Sequence, residues 1–434
     1  MRFGTSFSWR TIWRSFAFAL PLLSLTYLVR FRVAGLPSTL FEVLLLVFVV
    51  GALLIAGRSG LVRAHQVLHV WRWPIVAWIL ATLIAVVGSP SLWTGLGLWR
   101  AYVLEPLSVL VALCTLLDQP GDRRRMEQGM MFAAIVVCVW AIIGFFGNWG
   151  IPKPWNVAIN AGRRAVGPFG FPNAVALFIA PIGALAATRL ALMFKECVAW
   201  RERVLSIVTL VFVTLGLALA KSDGGMLAFG FVVMLSLLGL RWGRWLVLVG
   251  AVAGGVGLIA LPGVREALVK EATFQGWSGK VRLIMWRETW AMLKKHWFFG
   301  AGFGGYPKVF DAYHKARFIE IFQYPHNNLF TFWSETGLLG VLAFVGIMVT
   351  WVKDALRTTR ATLKAMVSAQ GIVFSQTNRY LPMLVLVAPL ITIFIHGLVD
   401  VPYFKNDLAL LFWMFTWLII AAKNEGAVTT QKLA

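Results

Sequence analysis

Acidic residues and cysteine are scarce in this sequence of 434 residues. It contains 18 Asp and Glu against 40 Lys and Arg, and only three cysteines, Cys114, Cys138 and Cys197. The cysteines do not have the spacing of metal ligands, so neither a disulfide framework nor a zinc site is expected. No pair of carboxylates of the DxD kind occurs in a predicted external loop, and we therefore predict no divalent-cation site.

The sequence also lacks a P-loop, a nucleotide-binding fold and a basic soluble module of the kind that binds nucleic acid. We therefore predict no cofactor and no nucleic-acid partner. Any reaction that this chain catalyses has to take its energy from an activated substrate.

Apolar residues make up 59% of the chain, and the mean hydropathy is +0.77. They come in runs close to the length that crosses a bilayer as a helix. This pattern predicts an all-α polytopic membrane protein with about twelve transmembrane helices and no separate soluble domain. The predicted segments are 15–29, 39–56, 73–88, 97–117, 128–148, 171–193, 204–220, 224–240, 244–262, 328–352, 380–398 and 408–422.

The distribution of the net charge of +22 predicts the topology. Basic residues favour the cytoplasmic side, and their distribution places both termini there. Residues 263–327 form the longest external loop and break the bias, with 10 Lys and Arg against 5 Asp and Glu. We therefore predict transmembrane helices 1–9 in residues 1–262, a large external loop with amphipathic helices in 263–327, and helices 10–12 with a short cytoplasmic tail in 328–434.

The positive charge of the external loop has no topological explanation, so it favours contact with anionic head groups or a phosphate-bearing substrate. Residues 278–300 read as an amphipathic helix at the membrane interface, and Arg282 and Arg287 flank its apolar stripe. The glycine-rich residues 300–305 resemble a phosphate-binding loop only weakly, and a helix stop with a tight turn is favoured. The stripe consists of Leu283, Trp286, Trp290, Leu293 and Trp297.

His326 is the sharpest catalytic candidate, because it lies where a polar segment meets a long apolar one. An imidazole titrates near neutrality, so it can take a proton from an attacking hydroxyl. Asn327 and Asn328 follow and could orient a sugar. The alternative is that these residues are a capped helix start, since asparagine is a good N-cap.

Arginine side chains are the candidates for binding a diphosphate, because a guanidinium group makes paired, charge-assisted bonds to phosphate. They would stabilise a leaving group as negative charge develops on it. The alternative is a solvated basic face or contact with lipid head groups. The candidates are Arg265, Arg282 and Arg287 in the large loop, and Arg163 and Arg164 in the loop before 171–193.

Three further polar residues lie within or beside apolar segments, where such groups are costly and often functional. Glu335 lies nine residues after His326, which places it half a turn round the helix, so we expect it to pair with an arginine of another helix rather than with His326. Asp400 lies at an external end as a supporting residue. His396 is expected to make an interhelical hydrogen bond.

At these residues the sequence resembles the O-antigen ligase superfamily, which groups lipopolysaccharide O-antigen ligases, O-antigen polymerases and bacterial protein O-oligosaccharyltransferases. One departure concerns a Ser-Arg that many relatives carry before the large loop. This chain has Lys221-Ser222-Asp223 there, so Lys221 is the candidate substitute for that arginine. The matching blocks are VGPFGFPNAVALF (166–178), MWRETWAMLKKHWFFGAGFGGY (285–306), YPHNNLFTFWSETGLLG (324–340) and HGLVDVPYFKNDLALLFWM (396–414).

The resemblance implies a metal-independent, GT-C-like glycosyltransferase of the bacterial inner membrane with its active site facing the periplasm. The donor would be O-antigen on undecaprenyl diphosphate, and the acceptor a sugar hydroxyl of lipid A-core, among membrane lipids. His326 resembles the essential loop histidine of the family, and Arg282 or Arg287 would bind the diphosphate. The alternatives are an O-antigen polymerase, which shares the histidine block, and, in a different class, a lipid-glycan transporter.

Overall fold

The computed structural model describes residues 8–33, 36–194, 199–370 and 381–433. Cys197 therefore lies outside the described residues, while Cys114 and Cys138 are free and buried. The described chain is mostly helical. Before the large loop its helices are α1 Trp9–Leu23, α2 Leu40–Val67, α3 Arg72–Val87, α4 Leu92–Trp99, α5 Glu105–Leu116, α6 Asp122–Gly147, α7 Pro172–Met193, α8 Trp200–Ala220, α9 Asp223–Leu238 and α10 Arg241–Ala260.

The large loop and the segment after it contain six further helices. A turn of π-helix, Arg100–Leu104, joins α4 to α5, so these two act as one long helix. The remaining helices are α11 Pro262–Ala272, α12 Trp277–Lys295, α13 Tyr306–Phe310, α14 Asn328–Gln370, α15 Leu381–Gly397 and α16 Asn406–Leu433.

Each of the twelve predicted apolar segments overlaps a helix, and α2, α14 and α16 extend well beyond the predicted ends of their segments. Within the described chain, eight helices are long and apolar enough to cross a membrane, and α3, α9 and α15 are shorter apolar helices. The protein is therefore a polytopic helical membrane protein. The count of twelve crossings and the division at residues 262 and 327 stay predictions.

The mostly helical structure is consistent with the predicted all-α class, and it contains in addition one short element that the sequence did not predict. A β-hairpin follows α1, with β1 Arg30–Val33 paired antiparallel to β2 Leu36–Thr39. Its second strand leads directly into α2, and a reciprocal capping box between Thr39 and Glu42 stabilises the start of this helix. The strands have four residues each and lie between two apolar runs, so their alternation of side chains is too short to be recognised in the sequence.

The centre of the fold is formed by α7 and α16, whose most apolar windows are 83% and 89% buried by the rest of the protein. In contrast, only 6% of the corresponding window of α10 is buried, so this helix lies at the edge. The loops that join the central helices to their neighbours converge at one end of the bundle, and that end contains the candidate site.

The large loop has a small core of its own around α12, as the prediction of an amphipathic helix in 278–300 required. Of the predicted stripe, Leu293 is buried beside Met285 and Met292, while Leu283 and Trp290 are exposed. Their exposure follows from the helix packing on Tyr306 of α13 through its methionine face.

The glycine-rich segment after α12 is a tight turn, as predicted, and it docks onto two helices. Ala301 N donates to the carbonyl of Ser334 in α14 (2.6 Å), and Phe303 N donates to that of Ala85 in α3 (3.0 Å). Gly302 between them has φ of 80°, and a Cβ there would lie 2.6 Å from the carbonyl oxygen of Gly88. Only glycine allows this close approach, so the segment has a structural reason for its composition.

Candidate functional site

The candidate site is built around His326 and Asp400, which come together although they are 74 residues apart in the chain. His326 precedes α14, and Asp400 lies in the segment that joins α15 to α16. Nδ1 of His326 lies 3.3 Å from Oδ1 of Asp400. A carboxylate only accepts hydrogen bonds, so we assign the imidazole proton to Nδ1. Nε2 is then left with a lone pair and can act as a base.

Asp400 is 4% exposed and is held by hydrogen bonds on both of its oxygens. Oδ1 accepts from the backbone N of Val401 at 2.9 Å, and Oδ2 accepts from Nδ2 of Asn173 at 2.7 Å. Burial by itself would raise the pKa of Asp400, but the bond from His326, the charges of His326 and His396, and the Val401 bond hold it well below its usual range. Asp400 is therefore a carboxylate at neutral pH.

Arg164 is connected to this pair through Asn173, in the first turn of α7. Nη2 of Arg164 donates to Oδ1 of Asn173 at 2.9 Å, while Nε and Nη2 donate to the carbonyls of Ala220 and Lys221 at the end of α8. Burial lowers the pKa of Arg164, while the charges of Asp223 and Asp400 raise it and that of Arg282 lowers it. Arg164 and Arg282 are therefore close enough to interact.

Arg282 approaches the site from α12 in the large loop. Its Nε donates to the carbonyl of Val399, next to Asp400, at 3.0 Å, and its Nη1 donates to Oγ of Ser278 at 2.7 Å. Among the described residues, Nη2 of Arg282 and Nη1 of Arg164 have no hydrogen-bond partner. Neither nitrogen is buried, so both can reach a ligand.

The other predicted cations occupy different positions. Lys221 is exposed at the end of α8, and its carbonyl accepts from Arg164. Arg163 donates to the carbonyls of Val157 and Phe145, so it holds the loop that carries Arg164. Arg265 and Arg287 are exposed, and their side chains make no hydrogen bond or ion pair with the described chain.

Asn327 and Asn328 begin α14 and connect it to the neighbouring loop. Oδ1 of Asn327 accepts from the backbone N of Phe330 at 3.1 Å, which is the capped helix start that the sequence offered as an alternative. Nδ2 of Asn327 also donates to the carbonyl of Leu398 at 2.9 Å, two residues before Asp400. The cap thus positions His326 as well. Asn328 is 8% exposed, and its Oδ1 has no partner in the described chain.

Glu335 does not pair with an arginine, so that prediction was wrong. It is fully buried, and its Oε2 accepts from the backbone N of Gly304 in the glycine-rich turn. No arginine of the described residues lies within ion-pair distance of this carboxylate, and the turn supplies a backbone N–H donor instead. Glu335 therefore fixes the turn onto α14 and does not reach the candidate site.

His396 is buried beside the site, and the hydrogen bond expected for it is absent at Nδ1, which has no partner in the described part of the chain. A Cβ on Gly224 of α9 would lie 2.9 Å from Cδ2 of His396, so the ring packs closely against that helix. Packing against the glycine takes the place of the expected polar contact.

No group of three or more His, Cys, Asp and Glu side chains in the described residues could hold a metal ion. The polar groups that the site does offer are a base, a carboxylate that orients it, and two guanidinium groups with free N–H donors. This combination can remove a proton from a hydroxyl and stabilise negative charge that develops nearby.

Sequence reasoning missed Asn173, which joins the two halves of the site by bonding to both Arg164 and Asp400. Its signal was available, since Asn173 is a polar residue at the start of an apolar segment and lies inside one of the matching blocks. It was overlooked because sequence alone does not bring residues 164, 173 and 400 together.

Two comparisons with known proteins bear on this site. Residues 208–345 match a protein-family model described as O-antigen ligase. The matched segment includes Lys221, Arg282 and His326, while Arg164, Asn173 and Asp400 lie outside it. No match was found among curated proteins.

Proposed function

We propose that this chain, whose residues 208–345 match a family model described as O-antigen ligase, is a membrane glycosyltransferase that moves O-antigen polysaccharide en bloc from undecaprenyl diphosphate to a sugar hydroxyl of lipid A-core. The observation that carries the proposal is the hydrogen-bonded pair of His326 and Asp400, with two available guanidinium groups beside it. The reaction takes place at the periplasmic face of the bacterial inner membrane, in a fold of the GT-C-like kind.

In the proposed reaction Nε2 of His326 takes the proton of the acceptor hydroxyl as its oxygen attacks the anomeric carbon of the donor. Asp400 keeps the proton on Nδ1 and stabilises the imidazolium that forms. The new glycosidic bond forms as the bond from the anomeric carbon to the diphosphate oxygen breaks. A single displacement of this kind inverts the anomeric configuration.

The electron pair of the broken bond leaves with the undecaprenyl diphosphate, whose negative charge increases as it departs. We assign its binding to Arg164 and Arg282, because each has a free N–H donor and both are fixed by bonds to backbone carbonyls. Fixed donors need no reorganisation as the charge develops. Lys221 adds a charge nearby, and Arg265 and Arg287 are left as contacts to lipid or solvent.

No metal ion takes part in this proposal, since two arginines supply the charge that a cation provides in other diphosphate sites. Activity of the purified protein in EDTA tests this part. Full transfer in the chelator is expected, and a loss that Mg²⁺ or Mn²⁺ restores would contradict the metal-free reaction.

The main test is complementation of a strain that lacks its own ligase. The wild-type gene is expected to restore long-chain lipopolysaccharide, while His326→Ala should abolish it and let undecaprenyl-linked glycan accumulate. A loss of at least about 100-fold is expected for removal of a general base. His65→Ala, at the exposed far end of α2, is the matched control and should behave as wild type.

Two results would overturn the assignment. Normal transfer by His326→Ala would remove the histidine from catalysis. Restoration of glycan length in a strain whose lipopolysaccharide carries single repeats, without activity in the ligase-deficient strain, would identify the protein as a polymerase that extends lipid-linked repeats.

A further inference from the structure

A second group of basic side chains lies at the same end of the helices as His326 and Asp400. It belongs to the β-hairpin Arg30–Thr39, whose strands pair with Arg30 opposite Thr39. Two contacts fix its position. Nδ2 of Asn406 donates to Oε1 of Glu42 at 2.8 Å, in the first turn of α2 directly after the hairpin. Nζ of Lys405 lies 5.5 Å from the ring of Tyr27, directly before the hairpin.

The first strand of the hairpin has one basic and one apolar face, because side chains alternate along a strand. Arg30 and Arg32 share one face and Phe31 and Val33 the other, and all four are exposed. Arg30 and Arg32 form no ion pair within the described chain. An exposed element with an apolar side and an unpaired cationic side suits the boundary between acyl chains and head groups.

Like charges converge at the base of the hairpin. The guanidinium of Arg30 lies 4.7 Å from the ring centroid of Tyr27, the same ring that Lys405 approaches. Lys405 is paired with Asp407 at 3.2 Å, but Arg30 has no such partner. Arg30 and Lys405 thus both lie against the ring of Tyr27, and only Lys405 is neutralised by a carboxylate of the described chain. An anionic ligand bound to Arg30 would reduce the repulsion between the two cations.

The hairpin is also continuous with the candidate site. Nζ of Lys405 lies 4.0 Å from the ring centroid of Phe169, in the segment that leads to Asn173. Lys405 and Asp400 belong to the same connection between α15 and α16. A ligand held at the hairpin would thus be next to the loops that carry the reacting groups.

We infer that Arg30 and Arg32 bind phosphate groups on the head group of a phosphorylated glycolipid, the acceptor in the transfer reaction. This inference rests on the proposed function. Arg164 and Arg282 are occupied by the diphosphate of the donor, so a second anionic, lipid-anchored reactant needs its own cations at the membrane surface. Guanidinium groups suit phosphate because they bond through two N–H groups at once, and anchoring both reactants brings them into line.

The test uses the full-length protein in zwitterionic vesicles, with a lipid diphosphate-linked glycan as donor. The acceptor is lipid A-core with its phosphates, or the same lipid after enzymatic removal of the phosphates. The variant is Arg30→Gln/Arg32→Gln. The matched control is Arg58→Gln/Arg72→Gln. It removes two exposed arginines, one in the second half of α2 and one at the start of α3.

The hairpin variant is expected to raise the KM for the phosphorylated acceptor by about 25-fold, since each of the two arginines near an anionic group contributes roughly a fivefold factor of attraction. The kcat and the donor KM should stay within about twofold of wild type. Wild type acting on the dephosphorylated acceptor should show the same raised KM, and the hairpin substitution should then add nothing further.

An unchanged acceptor KM in the hairpin variant would overturn the inference. In a parallel series of vesicles with added anionic phospholipid, a KM shift that follows the content of that phospholipid and not the phosphates of the acceptor would also overturn it, since the hairpin would then bind bulk lipid. Direct binding of phosphorylated lipid A-core, measured without donor, separates this inference from the proposed function. Binding that needs Arg30 and Arg32 in a protein that transfers no glycan would contradict the function and leave the lipid site standing.

Discussion

His326 has a backbone conformation that few residues other than glycine adopt, with φ of 47°. Such a conformation costs on the order of 1–3 kcal/mol and persists only where the surroundings fix it. Both neighbours of His326 are fixed here. Nε1 of Trp286 donates to the carbonyl of Pro325 at 2.8 Å, and Asn327 donates to Leu398. The imidazole is therefore held for contact with Asp400 before any substrate binds.

Asp400→Asn should lower kcat by about 100- to 10,000-fold while leaving the donor KM nearly unchanged. The amide is uncharged, so it neither stabilises an imidazolium nor fixes the proton on Nδ1. Initial rates with purified protein and a range of donor concentrations measure both constants. A parallel rise of donor KM would instead indicate that Asp400 acts by placing Arg164.

The effect of this substitution on stability should be the same at about pH 8 and pH 9, where a histidine partner is ordinarily uncharged. The pKa of Asp400 is lowered on folding, so its contribution is complete above the ordinary aspartate pKa and is lost only as the pH falls below it. Thermal unfolding of wild type and variant at both pH values measures the difference. Asp311→Asn, which affects an exposed pair with Arg317, is the control and should change little.

Among the elements, the large loop depends on one buried ion pair for its shape. Nδ1 of His314 lies 2.9 Å from Oε2 of Glu288, and its Nε2 lies 2.8 Å from the carbonyl of Ile319. The other oxygen of Glu288 accepts from the backbone N of Lys315 and Ala316. A single carboxylate of α12 thus holds the segment that leads back to His326.

His314→Ala should loosen this segment and speed tryptic cleavage after Lys315 and Arg317 by about tenfold, because a buried bond worth on the order of 1–3 kcal/mol is lost. Limited proteolysis in detergent, followed by mass spectrometry of the fragments, measures the rate. Asp311→Ala removes only the exposed partner of Arg317 and should change it by less than about twofold. Equal acceleration in both variants would mean that the buried pair does not hold the loop.

The helices were predictable from sequence because runs of apolar residues near bilayer length leave few alternatives. The amphipathic helix of the loop was also predicted from its apolar residues. The burial of Met285 and Met292 was not, because it results from packing on Tyr306. The hairpin was missed because four-residue strands carry almost no periodic signal. Glu335 was predicted to pair with an arginine because a buried charge without a partner is costly. In the structure its hydrogen-bond partner is a backbone N–H of the glycine-rich turn.

For the candidate site, sequence provided the residue types and the structure brought them together. His326, Arg282, Arg164 and Asp400 were all among the candidates, but nothing in the sequence separated Arg282 from Arg287, five residues away on the same helix. Their surroundings differ, since Arg282 bonds to Val399 while Arg287 is exposed, and this difference supports the proposed role of Arg282. Asn173 was overlooked because its role exists only through tertiary contacts.

On the scale of the whole molecule, positive charge is divided between the two ends of the bundle. At the end away from the site, Arg14 pairs with Asp122 and Arg189 pairs with Glu127, while Arg58, Arg72 and Arg125 have no ion-pair partner in the described residues. At the site end, Arg30, Arg32, Arg265 and Arg287 also have no ion-pair partner in the described residues. Both ends of the bundle therefore present unpaired cations, and those of the site end are the ones within reach of anionic lipid substrates in the proposed reaction.

Cysteine labelling should place these two ends on opposite sides of the membrane. In a background without the native cysteines, Lys308→Cys in α13 should react with an impermeant maleimide in cells with a permeabilised outer membrane. Arg125→Cys in the first turn of α6 should react only after the inner membrane is broken. Both side chains are exposed, so access to the reagent depends on the membrane alone. The reverse pattern would invert the predicted topology.

The contact between His326 and Asp400 also has a consequence for biosynthesis. During translation His326 leaves the ribosome well before Asp400, and the two are separated by α14 and α15. The base therefore has no carboxylate partner until the last helical hairpin has been inserted into the membrane. A chain that stalls or is cut before Asp400 would lie in the membrane with its histidine but without the carboxylate that orients it, so we expect such an unfinished copy to be inactive.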